Sequence, residues 1–139
     1  MKGFDTTLMF DGQTEEAFNF YKSVFGGEFS NLQRLGDLPT PMEMPEEAKS
    51  KILHMALPIG STILMGMDMP PGRGTVNQGN NFFVTLNTSS EAETDELFAK
   101  LSDGANIMMP VEQQFWGAYF GMLTDKFGIQ WMLSYSEQR

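Results

Sequence analysis

The chain has no cysteine and only one histidine, His54, in 139 residues. Without thiols there is no disulfide, no thiolate metal site and no cysteine nucleophile. Basic residues are scarce too: 9 Lys and Arg stand against 18 Asp and Glu, for a formal charge of −9. A polyanion must be met by a clustered basic surface, and these nine are scattered, so nucleic acid and anionic membrane are excluded as partners. No apolar run approaches the roughly 18 residues of a membrane span. The N-terminus lacks a basic region followed by a continuous apolar stretch, and a cytoplasmic location is expected. Gly72 and Gly74 lie in a proline-rich stretch without the strand, turn and helix order of a phosphate-binding fingerprint, and no Gly-x-Ser-x-Gly elbow occurs.

What is present is a repeat. Leu8, Glu15, Phe20 and Gly26 recur as Leu86, Glu93, Phe98 and Gly104 at a constant offset of 78. Each stretch runs from a short apolar strand through a turn to an acidic helix start and an amphipathic helix ending at glycine. Thr14 is placed to cap the first helix, Ala17, Phe20, Tyr21 and Val24 share one face, and Gly26-Gly27 stops it. Ser89 or Ser90 caps the second, with Leu97, Phe98 and Leu101 before Gly104.

Apolar runs follow each helix: residues 29–35, 52–59 and 62–67 in the first half, and 106–111, 118–124 and 129–135 in the second. Gly60-Ser61 joins one pair as a tight hairpin, and residues 125–128 join another. Between residues 36 and 50 lie Pro39, Pro41 and Pro45, the last opening one helical turn. Both halves therefore read βαβββ. The long period and the two copies point to a duplicated half-domain rather than a solenoid. The expectation is one α+β domain over residues 1–139, with a first module at 1–67, a linker at 68–80 rich in Pro and Gly, and a second module at 81–139.

Two tandem βαβββ modules are the plan of the glyoxalase, bleomycin-resistance and dioxygenase fold, the vicinal oxygen chelate superfamily. The words themselves resemble its PhnB-like branch. Leu8-Met9-Phe10-Asp11-Gly12, Glu15-Glu16-Ala17-Phe18-Asn19-Phe20-Tyr21 and Phe25-Gly26-Gly27 are similar to its opening. Phe115-Trp116-Gly117 and the run from Phe120 through Met132 are similar to its C-terminal signature, and His54 and Leu64-Met65-Gly66-Met67-Asp68 also match. The resemblance spans the whole chain. It implies two curved sheets around a cleft, a small-molecule ligand and a homodimer. A ubiquinone methyltransferase label has been attached to members of this branch, but no glycine-rich turn of a methyl-donor site occurs here.

Metalloenzymes of the superfamily hold their ion with two inward-facing residues per half, usually His, Glu or Gln. By the resemblance those positions fall at Asp5 or Thr6, Met65, near Asn81, and at Met132. A thioether is a poor ligand for the usual divalent ions, so no metal and no cofactor are expected. His54 lies on one strand face with Ala56 and Pro58, away from Leu53, Met55 and Leu57. It is a candidate for ligand contact or, with Glu112 or Gln114, for acid–base catalysis. Met65, Trp116, Tyr119 and Trp131 are the further ligand-binding candidates, as parts of an apolar, aromatic and methionine-rich cleft. Three functions follow from this reading. The first is a metal-independent small-molecule binding protein. The second is a lyase, isomerase or oxygenase with an atypical site. The third is an antibiotic-sequestering resistance protein, whose acidity would suit a basic ligand.

Overall fold

A computed structural model describes residues 1–39 and 44–137, so Pro41 of the long connection lies outside the described residues. The chain divides into two compact units, Met1–Asn77 and Gln78–Arg139.

The first unit runs β1 (Thr6–Phe10), α1 (Thr14–Phe25), β2 (Asn31–Arg34), a 3₁₀ turn (Leu35–Asp37), α2 (Glu46–Lys49), β3 (Ile52–Ile59) and β4 (Thr62–Asp68). Its sheet has the order β1-β4-β3-β2, with β1 and β4 parallel and the other pairs antiparallel. Leu8 and Phe10 of β1, Met55 and Leu57 of β3 and Leu64 of β4 are buried, as are Ala17, Phe18, Tyr21 and Val24 of α1. This is the 3.6-residue apolar stripe of a helix laid on the period-2 face of a sheet. Gly66 makes the approach close: a Cβ there would stand 2.7 Å from Phe18 Cζ and 2.9 Å from Thr14 Cγ2.

Two details of α1 depart from expectation. Thr14 is the first helical residue and Gln13 holds the cap position, because the Thr14 hydroxyl donates to Asp68 Oδ1 at 2.7 Å instead of accepting from its own helix. Phe20 is half-buried, and Phe18 takes its place in the core.

The second unit runs β5 (Val84–Asn87), α3 (Glu91–Leu101), β6 (Asn106–Gln113), β7 (Tyr119–Thr124) and β8 (Gln130–Tyr135). The order is β5-β8-β7-β6, again with one parallel pair, β5 and β8. Ser90 caps α3 as expected: its Oγ accepts from Glu93 N at 3.0 Å, and Glu93 Oε1 accepts in return from Ser89 N at 2.9 Å. Thr94, Phe98 and Leu101 bury the inner side of α3, over Leu123, Trp131 and Leu133. By burial, Ala17, Tyr21 and Val24 correspond to Thr94, Phe98 and Leu101, so the counterpart of Phe98 is Tyr21 rather than Phe20. Both units are thus mixed four-stranded sheets backed by a helix. Among the described residues no helix is long and apolar enough to cross a membrane.

Candidate functional site

His54 sits on β3 with its neighbours fixed by strand alternation. Leu64, Gly66 and Asp68 of β4 face α1, which leaves Met65 and Met67 on the opposite face of the sheet. His54 shares that face. Its Nδ1 lies 2.6 Å from Asn31 Nδ2, and its Nε2 lies 3.3 Å from Met65 Sδ. Both ring nitrogens therefore meet neutral groups. Glu112 and Gln114, its proposed catalytic partners, belong to the second unit.

The superfamily's divalent ion can be tested against the residues present. Strand register moves two of the expected positions. The partner of Met65 across the parallel pair is Thr7, and the partner of Met132 is Thr85. Thr6 pairs with Leu64 and so alternates to the helix side. Asp5 precedes β1, where its Oδ1 accepts from Ile63 N at 3.3 Å, and Asn81 precedes β5. Each unit thus sets a hydroxyl beside a thioether where hard or borderline ligands would be needed. Among the described residues no group of three His, Asp or Glu side chains gathers to hold an ion. The residues do not fit a divalent metal.

In the second unit the β6–β7 loop presents the aromatic candidate. Gln114 N donates to Ala118 O at 2.8 Å and Gly117 N donates to Gln114 O at 3.1 Å, closing a tight loop around Phe115-Trp116-Gly117. Gly117 has φ of 97°, which an L side chain rarely adopts, so glycine is what lets the loop close here. Trp116 is left 53% exposed, edge-to-face with Phe115 at 5.0 Å and with Phe120 at 5.6 Å. Beside it is an open recess of about 420 Å³ lined by Trp116, Gln113, Gly117, Glu91, Tyr135, Ser136 and Glu137. Among the described residues its lining carries two carboxylates and no Lys or Arg, so it is polar and acidic rather than apolar.

Glu112 is exposed on the edge strand β6, paired with Phe120 of β7, and Gln114 Nε2 donates to Glu112 O. Tyr119 alternates to the helix side of the sheet, where its hydroxyl donates to Asp95 Oδ1 at 2.6 Å. That bond, with burial and the Asp95 and Glu91 charges adding to it, pushes the phenol up to about 12. Trp131 is fully buried in the core, and its indole N–H donates to Asp125 Oδ2 at 2.8 Å. The structure therefore brings His54 to Met65 and Trp116 to Phe120, sets Tyr119 between Gln113 and Tyr135 of the recess lining, and buries Trp131 in the core.

Two buried carboxylates escaped the sequence reading. Asp68, assigned to the linker, is the last residue of β4 and accepts from Thr14 N, Thr14 Oγ1 and Ile52 N. Asp125 accepts from Phe127 N, Ile129 N and Trp131 Nε1. The second had a signal: Asp at the first and Gly at the fourth position of a type I turn, as in Asp125-Lys126-Phe127-Gly128. Asp68 had none, since its donors lie 54 and 16 residues away. Glu91, Tyr135 and Glu137 of the recess were likewise unmarked, because only the fold gathers a helix start, a strand end and a hairpin loop.

Paired βαβββ units with one parallel pair per sheet define the class: a protein of the glyoxalase/bleomycin-resistance fold. A family enzyme of that description from Burkholderia phytofirmans is 14% identical, has a TM-score of 0.62, and matches over 94% of both chains, a likeness of fold alone. The family is narrower. The profile of the 3-demethylubiquinone-9 3-methyltransferase family matches residues 2–134, and the chain belongs to that family, the PhnB-like one. Protein PA1353 from Pseudomonas aeruginosa is 34% identical, with a TM-score of 0.85 over 98% of each chain. A putative 3-demethylubiquinone-9 3-methyltransferase, PhnB protein, from Bacillus cereus is 30% identical, with a TM-score of 0.70 over 97% of this chain and 100% of its own. The strand-to-helix turns here, Asp11-Gly12-Gln13 and Thr88-Ser89-Ser90, are not glycine-rich turns of the kind that hold nucleotide-like cofactors.

Proposed function

We propose that this chain is a metal-independent small-molecule binding protein, with Trp116 as the aromatic anchor of its site. The reading is carried by the recess that Trp116 helps to line: about 420 Å³ is the size of a small-ligand pocket, and Trp116 is half-exposed. Exposed tryptophan is costly to leave in water unless a partner covers it, and aromatic anchors supply much of the contact energy of such sites. Glu91 and Glu137 in the lining, with a chain charge of −9, favour a cationic ligand, because a carboxylate and an indole face both attract a positive nitrogen. An antibiotic-sequestering role is the same chemistry with a basic drug as the ligand.

The test uses the two tryptophans as separate reporters. Trp131 is enclosed and bonded to Asp125, so a ligand at the recess should quench the emission of Trp116 and leave that of Trp131. Trp116→Ala should weaken binding by about 1–3 kcal/mol with the unfolding transition unchanged. If a panel of cationic metabolites and basic antibiotics quenches nothing, or if Trp116→Ala unfolds the protein, the binding reading fails.

A further inference from the structure

The first unit holds a second cluster of donor atoms that the recess does not use. Met9 and Met67 are register partners across β1 and β4, Thr7 and Met65 are the preceding pair, and all share the sheet face opposite α1. His54 faces the same way, with Nε2 3.3 Å from Met65 Sδ. His54, Met9, Met65 and Met67 are each partly exposed, so water reaches the cluster. We propose that this face is a site for a soft monovalent metal, Cu(I), with His54 Nε2 and Met65 Sδ as ligands and a second thioether, from Met67 or Met9, completing a three-coordinate shell.

The chemistry of the donors carries the assignment. Thioethers reject the hard and borderline divalent ions but suit Cu(I), and imidazole serves copper as well. With metal–nitrogen and metal–sulfur bonds of about 2.0 and 2.3 Å, the 3.3 Å separation corresponds to an angle of roughly 100° at a shared ion. The pair is therefore already spaced to bind one ion without moving strands. Asn31 supplies the outer support a ligating histidine needs. Its Nδ2 faces His54 Nδ1; turning the amide by half a circle sets Oδ1 against an Nδ1–H and frees the Nε2 lone pair toward Met65. The second unit lacks the imidazole: register through Met65 and Met132 makes Phe120 the counterpart of His54.

One histidine in the chain makes the test direct, because a tag-free protein has a single imidazole to observe. Cu(I) would be added anaerobically in competition with a chromogenic chelator, and the ¹⁵N resonances of His54 followed. The expected result is one tightly held Cu(I) per chain, a large shift of Nε2 with little change at Nδ1, and X-ray absorption showing one nitrogen and two sulfur neighbours. Met65→Leu keeps the side-chain volume, and His54→Phe installs the residue the second unit already carries; each should lower affinity more than about 10-fold. Met122→Leu, on the second unit, should leave it unchanged. An unshifted imidazole, undiminished binding in both first-unit variants, or loss of binding in Met122→Leu overturns the proposal. Far-ultraviolet circular dichroism of each variant separates loss of the site from loss of the fold.

Discussion

Replacing Asp68 probes whether the first unit is held together by a buried carboxylate. The residue is 5% exposed and receives three hydrogen bonds, from Thr14 N at 3.2 Å, Thr14 Oγ1 at 2.7 Å and Ile52 N at 2.8 Å. These tie the start of α1 and the start of β3 to the end of β4. In Asp68→Ala all three donors lose their acceptor. A buried donor left without a partner costs about 1–3 kcal/mol. The Thr14 hydroxyl can rotate toward another acceptor, but the two backbone N–H groups cannot leave their elements. The sum is then about 3–5 kcal/mol, a large part of the stability of a domain this size. Asp68→Asn keeps the shape and one oxygen, so it should cost less, about 1–3 kcal/mol. Urea unfolding would read the losses as a lowered midpoint at constant slope. Thr14→Val should lose little further stability when Asp68 is already Ala, since both changes remove the same contact. If Asp68→Ala lies within about 0.5 kcal/mol of the parent, the carboxylate is not a tie and the reasoning fails.

Three further outcomes are expected. Gly66→Ala should destabilise by about 1–3 kcal/mol, because the new methyl meets the Phe18 ring and Thr14, and calorimetry would show it as a lowered Tm. Tyr119 should ionise near pH 12, as the Asp95 bond requires, and the phenol absorbance of Asp95→Ala should titrate closer to 10. Because the folded pKa is raised, whatever that bond adds to stability is fully present below pH 10 and lost as pH climbs toward 12. Elemental analysis of protein prepared without added metal should find well under one Zn, Ni, Mn or Fe per chain; a stoichiometric amount would contradict the Thr–Met rows as read from the register.

The fold was readable because its signals are local. The β3 run at 52–59 was bounded to the residue by turn chemistry on each side, and Ser90 announced α3 through its own side chain and Glu93 three residues on. The errors fall where a long-range partner overrides a local preference. Thr14 is a good cap by type, but a carboxylate 54 residues away takes its hydroxyl. Phe20 and Phe18 are equally apolar, and only the space left over by Gly66 decides which enters the core. Trp131 looked like a ligand contact because aromatic residues are frequent in pockets, but it satisfies its indole at Asp125 and is fully buried in the core.

Divergence between the two halves explains why neither candidate site is repeated. Thr7 beside Met65 and Thr85 beside Met132 repeat one row in both units. Around that common row the halves separate. The first gains His54 within reach of Met65, and the second has Phe120 at the same place, stacked against Trp116. An imidazole makes a sheet face able to hold a soft ion, whereas a phenyl ring makes it a wall for an exposed indole. The substitution that separates the halves is therefore also what assigns them different chemistry. Exchanging the two residues, His54→Phe with Phe120→His, changes no strand and no core contact of the helices. It should lower the Cu(I) affinity of the first unit and weaken the Trp116 stack of the second in the same molecule.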